Sequence, residues 1–284
     1  MRFVQILLAA LVVWTLPAAA HPALWVAKNG SAMVYLFGTI HVLPADAQWM
    51  DDAIQKALSA SQEIWTEADI SNLSKSVSAI RHYGLHADHP TETMLPPRYR
   101  ARYRQQVELS GLPPALIAQA QPWLVEILLS AAAMRRTGAL GLGVEANLMS
   151  YAHTHHLSTP NFETLDEQFA MMSDMPKEAQ ITSLEEQINE WDGAGEQFRA
   201  LLVAWKSGDV DGLDRLTNQD MRHHDEMVWT ELILRRNERF VAKIEDRLQG
   251  TGTAFVAVGA AHLCGSTGVP SLLKARGFAV TRIQ

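Results

Sequence analysis

Val34-Tyr35-Leu36-Phe37-Gly38-Thr39-Ile40-His41 and Ala254-Phe255-Val256-Ala257-Val258-Gly259-Ala260-Ala261-His262 are the stretches on which the reading of this chain turns. Each is an apolar, strand-like run that stops at a glycine, with a histidine three residues later. Glycine at a strand end lets the backbone turn without a Cβ clash and leaves room beside the main chain. If both strands lie in one sheet and point the same way, His41 and His262 emerge at the same edge. The spacing alone is a weak signal. With 17 Gly and 11 His in 284 residues, chance supplies about one Gly-x-x-His, so the flanking elements must carry the inference.

Those elements read as α/β. After the first run, Pro44-Ala45-Asp46 leads into a helix over roughly 48–59, with Met50, Ile54, Ala57 and Leu58 on one face. Residues 61–67 then read as a strand that ends in Glu67. Strand, helix, strand is a βαβ unit, which implies parallel strands with helices packed on the sheet. Near the C-terminus a helix finishes over 240–248, Gly250-Thr251-Gly252 turns, and 253–258 forms a strand. A helix starting at Pro270 and a last strand over 278–283 follow. The middle is different: 121–137, 183–206, 213–219 and 221–235 read as helices, and 71–140 has few strand signals. The expected fold is a central, mostly parallel sheet flanked by helices. A largely helical insertion, roughly 71–240, separates the N- and C-terminal βα halves of one domain spanning 21–284.

Residues 1–20 have the plan of a secretory signal peptide: Arg2, an apolar stretch over 6–16, and Ala18-Ala19-Ala20. No later stretch is long and apolar enough to span a membrane, so no stable anchor is expected after cleavage. The formal charge of −7 argues against nucleic acid as a partner, because a polyanion needs a basic footprint. A single cysteine, Cys264, excludes an internal disulfide. A periplasmic or secreted location follows.

Ligands of open α/β sheets sit outside the carboxyl ends of the strands, where His41, Glu67 and His262 fall in this reading. Two imidazoles and a carboxylate suit a divalent metal with open positions, which lowers the pKa of a bound water. Several divalent ions accept such donors. The other histidines are weaker candidates: His153, His155 and His156 do not share a helix face, and His223-His224-Asp225-Glu226 reads as a solvated face. His82, His86 and His89 fall in a loop region. No His-Glu-x-x-His, P-loop or Gly-x-Ser-x-Gly is present. Cys264 reads as a small buried filler.

The segment 36–44 and the close formed by 256–263, Gly265, Gly268-Val269-Pro270 and Arg276-Gly277-Phe278 resemble the two end signatures of the TraB/PrgY/GumN family, which includes the TIKI proteases. Gly143-Val144-Glu145, Phe162-Glu163-Thr164 with Glu167-Gln168, and Arg236-Asn237 resemble its intermediate landmarks. Two positions depart from it: Glu145 where the family usually has Asp, and Phe162 where it usually has Leu. The resemblance implies an α/β fold related to the erythromycin-esterase and ChaN-like proteins. It also implies a metal-dependent hydrolase, most plausibly a peptidase, acting on a peptide or small-molecule substrate. His41, Glu67 and His262 would be metal ligands or acid–base groups, and Arg236 and Asn237 would hold substrate or support an oxyanion. Gly38, Gly259 and Glu163 would line the substrate side. The alternative is a periplasmic protein that binds haem or a peptide without chemistry. Ester hydrolysis is a third reading, by fold-level analogy.

Overall fold

Three parallel strands run from one edge of the sheet to its middle, and the strand that joins them comes from the C-terminal part of the chain. In the computed structural model, which describes residues 21–284 except 45, 70, 71, 86, 87, 137, 139 and 140, the predicted signal segment and His86 lie outside the described residues. The strands are β1 (Leu24–Asn29), β2 (Ala32–Thr39), β3 (Val42–Leu43), β4 (Glu63–Trp65), β5 (Gly141–Leu142), β6 (Gly252–Gly259) and β7 (Ala279–Arg282). Five form one sheet in the order β4-β6-β2-β1-β7, and β3 and β5 form a separate two-stranded ribbon. β6 runs parallel to both β2 and β4, whereas β1 is antiparallel to β2 and β7. The α/β expectation, with a mostly parallel centre, is met.

The central strands are apolar at nearly every position because both faces are covered. On one face Phe37, Phe255 and Ala257 pack with Ile54, Leu58, Leu148 and Trp205, from the helices Asp52–Ser59, Val144–Thr154 and Ala194–Lys206. On the other, Leu36, Val256 and Val258 meet Phe240, Val241, Ile244 and Leu248 of the helix Arg235–Leu248. Burial of each such side chain stabilises the fold by about 1.5–3 kcal/mol. The helical insertion has its own core around Trp123, Leu124, Leu129, Leu184 and Ile188.

Several local readings are corrected. β1 was not expected as a strand; it pairs with β2 across a two-residue turn at Gly30-Ser31, where Gly30 has φ +55°. The helix after β3 begins at Asp52, capped by Asp51, so Met50 precedes it and is exposed instead of lying on its buried face. The span 183–206 is two helices, Lys177–Glu190 and Ala194–Lys206, separated at Trp191–Gly193. The span 221–235 is interrupted at Asp225, which caps the turn after it, and becomes a π-helical turn over Thr230–Leu234. The insertion also returns to the sheet: Ser158 and Asn161 bridge to Glu63 and Thr66 beside β4.

Candidate functional site

The two glycine–histidine frames are one residue out of register. Gly38 lies opposite Val258, and Thr39 lies opposite Gly259. Beyond β2 the chain continues extended towards β3, and His41 stands at the surface with its side chain 74% exposed. Beyond β6 it tightens into a 3₁₀ turn, Ala260–Leu263, which tucks the His262 ring inward to 4% exposure. Both histidines leave the same sheet edge, as parallel strands require, but in opposite environments. Gly38 is needed for close approach, since a Cβ there would lie 3.0 Å from Ala260 Cα. Its carbonyl accepts a hydrogen bond from Trp205 Nε1 at 2.8 Å.

His41 is held by Glu145. Its Nδ1 lies 2.7 Å from Glu145 Oε1, and the Thr39 hydroxyl donates to the same oxygen at 2.6 Å. The ribbon of β3 and β5 makes this possible, pairing Val42 with Leu142 and bringing Gly143 onto the His41 backbone. A side chain at Gly143 would place its Cβ 2.2 Å from His41 O. The hydrogen bond from Glu145 raises the His41 pKa to about 9 against partial desolvation by the surrounding protein, with the Glu145 and Glu67 charges adding to it. Burial pushes the Glu145 carboxyl up, but its bond to His41 prevails and its pKa is lowered. Glu145 thus serves as the anchor of His41. Sequence reasoning noticed it only as a longer substitute for Asp; the glycine two residues before it was the available signal of close packing.

His262 is held by Asn237. The amide nitrogen of Asn237 donates to Thr267 O at 2.8 Å, which orients its Oδ1 towards His262 Nδ1 at 2.6 Å. An acceptor at that position assigns the proton to Nδ1 and leaves Nε2 as a lone pair. Burial lowers the His262 pKa to about 4, against the pull of Glu67 and with help from the Arg236 and His41 charges. Both polar groups of the Asn237 side chain are used, and the residue is fully buried.

Arg236 joins the acidic residues. Its Nε and Nη2 reach both oxygens of Glu163 at 3.2 and 2.5 Å, and Nη2 also bonds Glu67 Oε2. Nη1 donates to Leu232 O at 3.1 Å and faces His262 Nε2 at 3.2 Å. These acceptors match all five N–H donors of the guanidinium, leaving none spare for a substrate. Glu163, itself buried, is therefore a partner of Arg236. The other oxygen of Glu67 accepts from Gly259 N at 2.6 Å. Burial opposes ionisation of Glu67, but His262, Arg236, His41 and that N–H hold its pKa down at about 2.

A divalent cation fits this donor set in kind. Two imidazoles anchored through Nδ1 and a carboxylate that stays ionised are the partners such an ion takes. They are not gathered to ligand spacing. Glu67 Oε1 lies 3.7 Å from His262 Nε2, yet the three expected ligands do not converge within 4.8 Å, and Arg236 holds the position between Glu67, Glu163 and His262. Among the described residues, the only three-member set that tight is Glu190, Asp220 and His224, in the insertion. His153, His155 and His156 form no such set. Cys264 is buried beside the turn, with its thiol pushed up to about 12 by burial, and is unsuited to nucleophilic chemistry.

The TraB/PrgY/gumN family matches residues 23–282, and the chain belongs to that family. It is similar to the uncharacterized protein YbaP of Escherichia coli (strain K12), with 22% identity over 255 residues, covering 89% of this chain and 92% of that protein. YbaP of Shigella flexneri matches over the same extent at the same identity. No solved structure matches.

Proposed function

We propose that this chain is a metal-dependent hydrolase of the cell envelope that cleaves peptide bonds at the β2–β6 sheet edge. The observation that carries the reading is the pair of imidazoles, each fixed through Nδ1 by a separate partner, beside the ionised Glu67. His262 and Glu67 would hold a divalent ion of the Mn, Co or Zn type, with His41 beside it. When bound, that ion supplies Lewis acidity and a more acidic water.

The remaining roles belong to the chain. Arg236 holds Glu67 in one orientation, and Asn237 holds the His262 tautomer. Glu67, pinned near 2, is a weak proton acceptor and suits a ligand better than a general base. His41 is exposed and keeps its proton through neutral pH, so it is the group suited to protonating a leaving amine. The opposite displacements of the two histidine pKa values divide the tasks between donor and neutral ligand. An envelope location is supported by the signal-like first twenty residues, and no described helix is long and apolar enough to cross a membrane.

The test is cleavage of a defined peptide mixture by the purified protein, followed by mass spectrometry, with and without a chelator. Cleavage should vanish on chelation and in both His41→Ala and His262→Ala. Full cleavage by His262→Ala removes the proposal. Stoichiometric peptide retention without turnover, or a Soret band, moves the reading to a binding protein.

A further inference from the structure

We infer that the helical insertion carries a second divalent-cation site, formed by Glu190, Asp220 and His224 and separate from the sheet edge. One ligand atom from each lies within 4.8 Å of the others. Asp220 and His224 are four residues apart on the helix Asp220–His224, so their side chains share a face. Glu190 comes from the C-terminal end of the helix Lys177–Glu190. The set therefore bridges two elements of the insertion.

The orientation of the imidazole is the reason to read this as a metal site. His224 Nδ1 lies 2.9 Å from Glu186 Oε1, an acceptor that assigns the ring proton to Nδ1. Nε2 is then turned to the other two carboxylates, 3.7 Å from Asp220 Oδ1 and 4.0 Å from Glu190 Oε1. A carboxylate behind the ring and two carboxylates before it is the arrangement in which a histidine ligates an ion. The gaps are too long for hydrogen bonds. They are close to the spacing of ligand atoms around one first-row cation, about 3–3.5 Å for bonds near 2.1 Å.

The surroundings agree. These residues line a cavity of about 600 Å³ that also receives Glu126 and Gln187. Gln187 Oε1 is buried with no hydrogen-bond partner among the described residues. One imidazole with carboxylate oxygens and open positions suits Zn or Mn rather than a thiolate-seeking ion. Leu232 lines the same cavity, and its carbonyl accepts from Arg236. An ion here would brace the turn that positions the sheet-edge arginine.

The experiment is isothermal titration of chelator-stripped protein with ZnCl₂, and separately MnCl₂, with thermal unfolding followed in parallel. It uses wild type, His224→Ala, Asp220→Asn and a His41→Ala/His262→Ala double variant. The double variant should keep one equivalent that His224→Ala loses, and Asp220→Asn should weaken it at least tenfold. Saturating ion should raise Tm in the double variant, and the rise in His224→Ala should be smaller than in wild type. His224 and Asp220 are exposed, and circular dichroism confirms folding of their variants. An unchanged number of ion equivalents and unchanged affinity in His224→Ala, or no binding by the double variant at millimolar concentration, overturns the site and leaves His224 as an ion-pair partner of Glu186. Loss of ion only in the double variant would overturn this site while supporting the one at the sheet edge.

Discussion

His41 Nδ1 sits 2.7 Å from Glu145 Oε1, across the joint between the end of β2 and the helix that follows β5. That contact is the largest cause that raises the exposed histidine to about 9, while its counterpart after β6 falls to about 4. Glu145→Gln removes the charge but keeps a hydrogen-bonding partner. The His41 pKa should return towards its ordinary value near 6.5. Ring-proton NMR titration reads this directly, and an unchanged pKa would show that Glu145 is not the cause.

Glu67→Gln should destabilise the protein by about 1.5–3 kcal/mol, because Arg236 loses one charged partner and keeps Glu163. The pH dependence has a definite sign. The folded pKa of Glu67, about 2, lies below its ordinary 4.5, so its stabilising contribution is complete above 4.5 and is lost as pH falls towards 2. Urea unfolding of wild type and Glu67→Gln at pH 7 and pH 3 should therefore show the gap between them narrowing in acid. A constant gap would contradict the assignment.

Asn237→Ala should cost about 1–3 kcal/mol, since it orphans the buried Nδ1–H of His262 and the Thr267 carbonyl. Asn237→Asp places a negative charge on the ring and should raise the His262 pKa from about 4. Nitrogen-15 chemical shifts of the imidazole report both tautomer and charge. Wild-type shifts in both variants would mean that the ring is held by something else.

Alanine at the three site glycines should rank by available space. At Gly143 the new Cβ would meet His41 O at 2.2 Å, at Gly38 it would meet Ala260 Cα at 3.0 Å, and at Gly259 it would meet Glu67 Oε1 at 3.2 Å. Backbone cannot yield as a side-chain oxygen can, so Gly143→Ala should cost about 1–3 kcal/mol or more and Gly259→Ala the least. Gly143→Ala should also lower the His41 pKa by displacing Glu145. Chemical denaturation orders the three, and a Gly259 variant weaker than the Gly143 variant would reverse the argument.

The parts of this architecture legible in the sequence are those written by local pattern. The apolar runs ending at Gly38 and Gly259 announced two strands, and parallel pairing put their histidines at one edge. Pairings between distant segments left no such trace. Nothing near Glu145 says that it will meet His41, since that depends on a ribbon joining Val42 to Leu142. Arg236 looks from the sequence like a free cation on an amphipathic helix, and only the packed structure gives it acceptors for every N–H. β1 was overlooked despite its Gly-Ser turn, because a short run at the start of the domain offers little context.

The place of β6 in the sheet also governs when the molecule can form. Both β2 and β4 bond to a strand that begins at Gly252, so the sheet has no middle until most of the chain is available. Before then β1 and β2 are an isolated hairpin, which is marginal in water. Closing so long a loop is entropically costly, and topologies dominated by such distant pairings fold slowly. In a chain bound for the cell envelope, the location proposed above, such a delay would keep the polypeptide threadable until its last strands are made.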